Sequence, residues 1–315
     1  TKSKNKMQVG SSSPILSLIV VLYNMNREAE RTLHSLSVKY QSGVTENDYE
    51  VIVLENGSPQ PLLNTSLERF GKNFHYHFIE NAHPSPVFAI NKGVKIAKGK
   101  YVGVMIDGAH ILTPGILKYT LKTFKAFPNP VVATKYFFLG PGQQGETIQE
   151  GYNQGAEDAL LDKINWPFDG YRLFDVGVFI GIHKPGWFHP LIESNCIFVT
   201  KETWDKLGGY DERFDFPGGG FANIDFFKRA GELTETQLIC LLGEGTFHQI
   251  HGGTTTNAKN DNREDLVKKY RQQYFKIRGE HWKPPRLPME YIGHVPRQPR
   301  PNHKPPPPIF LSNIE

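Results

Sequence analysis

Three short stretches constrain the fold most: ILSLIVVL at 15–22, YEVIVL at 49–54 and YVGVMI at 101–106. Each is nearly continuously apolar and rich in Ile and Val. Runs of that length and character are strands covered on both faces, as in a parallel sheet flanked by helices. After the first run, Ala29, Leu33, Leu36 and Tyr40 keep helical spacing, with Asn24 and Asn26 as expected N-caps and Glu28 and Glu30 in the first turn. Phe74–Ile79 predicts a further strand, and Val87–Ala97 a helix ending near Gly99. Strand, helix, strand, strand, helix, strand is the pattern of an open α/β sheet with right-handed crossovers.

Such sheets bind ligands beyond the carboxyl ends of their strands. The residues leaving those ends are Tyr23 and Asn24, then Glu55 and Asn56, then Asp107. A carboxylate at the end of a buried strand has few structural reasons to be there. Asp107 opens DGAH, so His110 follows three residues on, and a second group, EGTFHQIHGGTTTN at 244–257, spaces His248 and His251 at i, i+3. A single loop histidine is ordinarily just a polar side chain. Two such groups beside Gly, Ala and Thr, with one aspartate, suit Mn²⁺ or a similar first-row ion better than Ca²⁺. The first β–α turn, VLYNMNREAE, has no G-x-G-x-x-G, and the chain has no G-x-x-x-x-G-K-[ST]. A phosphate bound here would need a divalent cation held by Asp and His to neutralise it.

The second half is less regular. Residues 140–190 read as long loops over a site, with a short helix at 156–163. A strand at 195–199, a helix from Lys201, a helix at 222–230, a strand at 237–242 and a polar amphipathic helix at 261–276 follow. Residues 1–13 read as a flexible N-terminus. From Lys283 to Pro308 the chain is Pro-rich, with Lys283, Arg286, Arg297, Arg300 and Lys304 against Glu290 alone. Residues 281–315 therefore read as an extended basic tail that wraps the domain or leads to a neighbouring domain or subunit.

Composition excludes several classes. A net charge of +4 over 315 residues does not argue for nucleic acid. Cys196 and Cys240 form neither a disulfide framework nor a structural zinc site. The longest apolar run, Ile15 to Tyr23, is far short of the ~20 residues of a membrane span. The basic N-terminal stretch has no apolar core behind it of the signal-peptide type. The expected location is cytoplasmic, with peripheral attachment to a membrane surface left open.

Three segments together resemble a family. SLIVVLYNMNREAERTLHSL followed by YEVIVLENGS is similar to the opening of an inverting family 2 glycosyltransferase with the GT-A fold. NAHPSPVFAINKGVKIAKGKYVGVMIDGAH resembles the stretch that ends in that family's metal-binding D-x-D. ETWDKLGGYDERFDFPGGGFANIDFFKRA resembles its acceptor-side segment, in which a G-G-E-D-x-D-like run precedes a helix. The resemblance spans roughly residues 14–256. It implies a GT-A domain over 14–280, with a nucleotide-sugar half at 14–112 and an acceptor half at 113–280.

It also implies roles. Tyr23, Asn24, Glu55, Asn56, Asn91, Lys92 and Asp107 would contact a nucleoside-diphosphate-sugar donor, a UDP-sugar first among them. Asp107, His110, His248 and His251 would hold Mn²⁺ or Mg²⁺. A glycan or glycolipid hydroxyl would be the acceptor, as in polysaccharide biosynthesis. Trp166, Trp187, Phe188 and Trp204 could stack on a sugar, although buried packing is the plainer role for most aromatics. Trp187 and His189 are the acceptor-side candidates. Two departures stand out. The second D-x-D aspartate is Ala109. The family's E-D pair, whose aspartate serves as base, falls on Ala222 and Asn223. The remaining candidate bases are Asp225, Glu193 and Asp215, though Asp225 also fits as a helix N-terminal acid. Loss of the E-D pair leaves a second reading open, a non-catalytic nucleotide-sugar or glycan binding module on the same fold.

Overall fold

The computed structural model describes residues 13–62, 67–181, 186–252 and 260–295. β1 (Leu16–Leu22) leads through α1 (Asn26–Leu36) to β2 (Tyr49–Glu55), β3 (Phe74–Phe78), α2 (Val87–Ile96), β4 (Tyr101–Met105) and β5 (His110–Leu112). Then come α3 (Ile116–Ala126), β6 (Pro130–Leu139), α4 (Gln144–Thr147), α5 (Gln154–Lys163), β7 (Gly177–Phe179) and β8 (Cys196–Thr200). α6 (Lys201–Leu207), α7 (Ala222–Glu232), β9 (Gln237–His248), α8 (Asn260–Arg278) and β10 (Glu290–Gly293) complete the order. The strands form one sheet, β10-β9-β6-β8-β4-β1-β2-β3, with β5 also on β9 and β7 on β6.

The expected open sheet is present. β3, β2, β1 and β4 are parallel neighbours, and every residue of β1 and β2 is buried. Alternation along β1 sorts its side chains between two helices, because successive side chains leave opposite faces. Leu16, Leu18, Val20 and Leu22 pack with Ala29, Leu33 and Leu36 of α1. Ile19 and Val21 pack with Val87, Ile90 and Val94 of α2. This clamping from both sides fixes where β1, β2 and β4 end, and so where Asn24, Asn56 and Asp107 emerge.

Several expectations are corrected. Asn24 and Asn26 do not cap α1, whose N-cap is Met25 with no side-chain hydrogen bond. Instead Asn24, at φ 48°, donates its amide to Ser58 Oγ at 2.7 Å, and Asn26 Nδ2 donates to Gln60 O at 2.9 Å. Both asparagines tie the turn after β1 to the loop after β2. The strand expected at 237–242 runs on to His248. The register against β6 slips, since Ala133 pairs with Cys240 but Lys135 with Gly245. Gly243, at φ 79°, turns the chain inside this bulge. The bulge breaks the apolar alternation and hides the second half of the strand from a pattern reading.

The basic tail does not begin beyond the fold. Trp282, Leu287, Met289 and Tyr291 pack against the core, and Glu290–Gly293 pair in parallel with Ile239–Leu242. Arg297, Arg300 and Lys304 lie outside the described residues, as do residues 1–12. Among the described residues no helix is long and apolar enough to cross a membrane.

Candidate functional site

Asp107 follows the carboxyl end of β4, and its backbone is pinned on both sides. Its N–H donates to Asn195 Oδ1 and its carbonyl accepts from Asn195 Nδ2, both at 3.0 Å. Its Oδ1 accepts from the Ala109 N–H at 2.8 Å, which leaves Oδ2 facing outward from the turn. Gly108 is needed between them, because a Cβ there would stand 2.5 Å from Val21 O and 2.4 Å from Leu22 Cδ2.

The histidines converge on that Oδ2. β5 pairs antiparallel with the end of β9 and sets His110 directly opposite His248. Oδ2 lies 3.2 Å from His248 Nε2, 3.3 Å from His251 Nε2 and 3.9 Å from His110 Nε2. The two later histidines are 3.1 Å apart, Nε2 to Nε2. The ligand atoms of Asp107, His110 and His248 all lie within 4.8 Å of one another.

Neighbours fix the ring orientations. Gln144 Nε2 donates to Leu139 O and to His248 O, each at 2.9 Å. Its Oε1 must therefore be the acceptor that meets His248 Nδ1 at 2.6 Å. His248 thus carries its proton on Nδ1 and a lone pair on Nε2. His110 Nδ1 stands 3.0 Å from Thr246 Oγ1. His251 is placed from behind: Ile250 N–H donates to buried Glu157 Oε2 at 2.8 Å, and Gln249 N–H to Ala109 O at 2.8 Å. Glu157 is in turn paired with Arg27 of α1.

The electrostatics suit ligation. Burial lowers the His110 pKa to about 3, against the pull of Asp107, and burial lowers that of His248 as well. Burial opposes ionisation of Asp107, but His251 and His248 beside it hold its pKa well below the usual carboxylate range. Burial lowers the His251 pKa too, but the Asp107 carboxylate outweighs it and the net shift is upward. Only His110 and His248 are thus held neutral, as imidazole ligands of a divalent cation must be.

Beside Asp107 and His251 opens a pocket of about 960 Å³. Tyr23, Asn24 and Asn56 line it, as the sequence suggests. Phe78, His83 and Pro217 also line it and carry no signal in the sequence read alone.

A family model described as glycosyl transferase family 2 matches residues 17–182. The chain belongs to glycosyl transferase family 2. A search of curated protein sequences finds no significant match. Solved glycosyltransferases share the GT-A fold of this family 2 chain. S. aureus TarS 1–349 in complex with UDP-GlcNAc has a TM-score of 0.53 and 14% identity, over 82% of this chain and 66% of that one. S. aureus TarS 1–349 alone gives 0.50 and 14%, over 84% and 72%. The mannosyltransferase PcManGT from Pyrobaculum calidifontis, in complex with GDP-Man and Mn²⁺, gives 0.52 and 14%, over 87% and 66%.

Other expected residues of this family 2 chain are placed differently. Glu55 is buried beneath the pocket, where it accepts from Ser58 Oγ and from Leu62 N–H and does not line the wall. Asn91 is spent on the turn after α6, exchanging hydrogen bonds with Tyr210 N–H and O at 3.1 and 2.9 Å. Lys92 is exposed on α2, and neither it nor Asn91 lines the pocket. Asp225 is 1% exposed, and its carboxylate is taken by Arg278 and Arg229 at 2.6–2.8 Å, so it cannot reach an acceptor hydroxyl. Asp215 is exposed and holds Gln273 of α8 at 2.7 Å. Trp187 is buried among Phe137, Phe174 and Phe179, which removes it as a sugar platform, and Trp204 is buried as well. His189 is exposed, and its carbonyl accepts from Lys135 Nζ at 2.6 Å.

Glu193 is the candidate base whose setting differs. It lies two residues before Asn195, the residue that pins Asp107. Tyr136 hydroxyl donates to its Oε1 and Asn223 Nδ2 to its Oε2, both at 3.0 Å. The Tyr136 ring meets His110 edge-on at 5.5 Å, so Tyr136 links the carboxylate to the histidine cluster, and Glu193 itself does not line the 960 Å³ pocket. Burial raises its pKa, and the two hydrogen bonds oppose that rise. Tyr136 and Asn195 were not singled out by sequence, and only the polar run ahead of β8 hints at the second.

Proposed function

We propose that this family 2 chain transfers a sugar from a nucleoside-diphosphate-sugar, a UDP-sugar being the first to test, to a hydroxyl of a glycan or glycolipid with inversion. The observation that carries the reading is the convergence of three histidines on Asp107 Oδ2, with Asp107 and His251 lining the 960 Å³ pocket. Neighbours of the same fold are described as complexes with UDP-GlcNAc and with GDP-Man and Mn²⁺, which supports the donor class. The cytoplasmic setting belongs to the same proposal.

The residues present fit a divalent cation: the ligand atoms of Asp107, His110 and His248 lie within 4.8 Å of one another, His251 Nε2 is 3.3 Å from Asp107 Oδ2, and Gln144 sets the His248 tautomer. Asp107, His110, His248 and His251 would hold it. When bound, such an ion stabilises the charge that develops on a departing diphosphate. The chain's own groups do the rest. Tyr23, Asn24 and Asn56 bind and orient the nucleoside. Glu193 accepts the proton of the acceptor hydroxyl as its oxygen forms the new bond to the anomeric carbon. The bond from that carbon to the diphosphate oxygen breaks on the opposite face, and its electron pair leaves with the diphosphate. A positioned carboxylate contributes ~10²–10⁴-fold to such a step.

Glu193→Gln tests this directly. Turnover should fall at least ~100-fold while calorimetric binding of UDP, with Mn²⁺ present, stays within threefold. Titrating UDP, GDP and dTDP into the protein, and into Asp107→Ala, names the nucleotide. Asn223, which stands where the resemblance places the catalytic aspartate, favours the second reading of a non-catalytic module. Nucleotide binding with no turnover of any UDP- or GDP-sugar by the unaltered protein would establish that reading instead.

A further inference from the structure

Three consecutive residues of β6 grip one irregular segment, at the point where the register against β9 slips. Thr134 N–H donates to Ser194 Oγ at 3.0 Å, and Thr134 O stands 2.8 Å from the same hydroxyl. Tyr136 hydroxyl donates to Glu193 Oε1 at 3.0 Å. Between them, Lys135 Nζ donates to His189 O at 2.6 Å. Pairing of β6 with β8 ends at Ala133 and Ile197, and among the described residues no backbone–backbone hydrogen bond holds 189–194. Apart from Leu191, which is buried in the core, the segment is held where these β6 residues hold it.

Lys135 is the unusual member. Its side chain is fully buried, and among the described residues no carboxylate pairs with it. A buried ammonium is costly, and a methionine would fill the same length of core without that cost. An apolar chain cannot hold a carbonyl, however, and a hydrogen bond from an ammonium is among the strong ones. No proposed step uses an amine, and Lys135 does not line the 960 Å³ pocket. We propose that Lys135 is a positioning residue for Glu193: its ammonium fixes the His189 carbonyl and so sets the path of the segment that carries Glu193 to the acceptor hydroxyl. The inference rests on the proposed role of Glu193 as base. Thr134 holds Ser194 separately, so Asn195, and through it Asp107, stays in place without Lys135. The donor side should not feel the loss, whereas a shift of about 1 Å at a catalytic group lowers a rate by up to ~100-fold.

The experiment is a double-mutant cycle between Lys135→Met and Glu193→Gln. It is read as nucleoside diphosphate released from UDP-GlcNAc and from GDP-Man with Mn²⁺ present and water as the acceptor. Lys135→Met should release it at least ~10-fold more slowly, while calorimetric binding of UDP stays within about threefold of the unaltered protein. In the Glu193→Gln background the same change should lower the rate by less than about twofold, because a removed carboxylate cannot be misplaced. A merely structural role would lower the rate equally in both backgrounds, so equal losses overturn the inference. Full turnover in folded Lys135→Met overturns it as well. Either outcome leaves the loss in Glu193→Gln, and so the role of that carboxylate, standing. Should Lys135→Met not fold, Lys135→Gln, which keeps a polar end, takes its place in the cycle. Full turnover in Glu193→Gln alone would instead remove the base assignment, and the inference with it. Release by no protein of the set, with UDP still bound, would establish the non-catalytic module and overturn both.

Discussion

Asn223 donates its side-chain amide to Glu193, Nδ2 to Oε2 at 3.0 Å, and takes the Tyr210 hydroxyl on its own Oδ1 at 2.9 Å. An asparagine at this place orients a carboxylate that arrives from the other end of β8. Asn223→Asp would set two carboxylates against each other and remove a donor to the charged form, and both changes raise the Glu193 pKa. The acid limb of the kcat/KM profile should move up by about one pH unit, with turnover at pH 6 falling several-fold. An acid limb that stays in place would separate Glu193 from the titrating group.

Asp225 offers the opposite expectation. It joins Arg229 of its own helix to Arg278 of α8, and it is almost fully buried. Removing one partner of a buried ion pair costs about 3–5 kcal/mol. Asp225→Asn should therefore lower the urea midpoint sharply, while turnover per folded molecule stays within a few-fold of the unaltered protein. Lost turnover with unchanged stability would return Asp225 to the mechanism.

Gln144 touches no proposed ligand atom, yet it sets the tautomer of His248. Gln144→Ala should weaken Mn²⁺ binding ~10–100-fold, as loss of such outer partners does. The circular dichroism spectrum should be unchanged. Equal Mn²⁺ affinity in the variant would mean that the His248 ring is held by its strand alone.

Glu244 predicts a pH effect on stability. It is fully buried, and burial raises its pKa to about 7 against hydrogen bonds from Thr113, Tyr171 and the Gly115 N–H. The folded state then binds the proton more tightly than the unfolded chain, whose glutamate titrates near 4.5. The contribution is complete below pH ~4.5 and is lost as pH rises through about 7, a change of about 3 kcal/mol. Relative to Glu244→Gln, the unaltered protein should lose about 2–3 kcal/mol between pH 5 and pH 8 in urea titrations. Parallel stability curves for the two proteins would refute the shift.

Legibility in the sequence followed local pattern. The runs that became β1, β2 and β4 are apolar throughout because both faces are covered, and that continuity shows in the residues alone. Asp107 was readable because a carboxylate follows one of those runs, and His248 and His251 because they sit three apart beside Gly and Thr. Asp225 misled because helix position and charge are local, whereas Arg278, which occupies it, comes from 53 residues away. Trp187 and Glu55 misled for the same reason, since burial is decided by partners distant in the chain. Asn195, Tyr136 and Gln144 were invisible, as each acts through one contact that only the folded sheet creates.

The short pairing of β10 with β9 has a consequence for handling the protein. Four residues, Glu290 to Gly293, cover the outer rim of Ile239–Leu242. A chain cut at residue 280, where composition changes, would leave that rim of backbone donors and acceptors open beside buried aliphatic side chains. Open rims of this kind recruit other chains. Such a truncation should self-associate and come out of solution, and a shortened version meant for crystallisation is better ended after Val295 than at the last turn of α8.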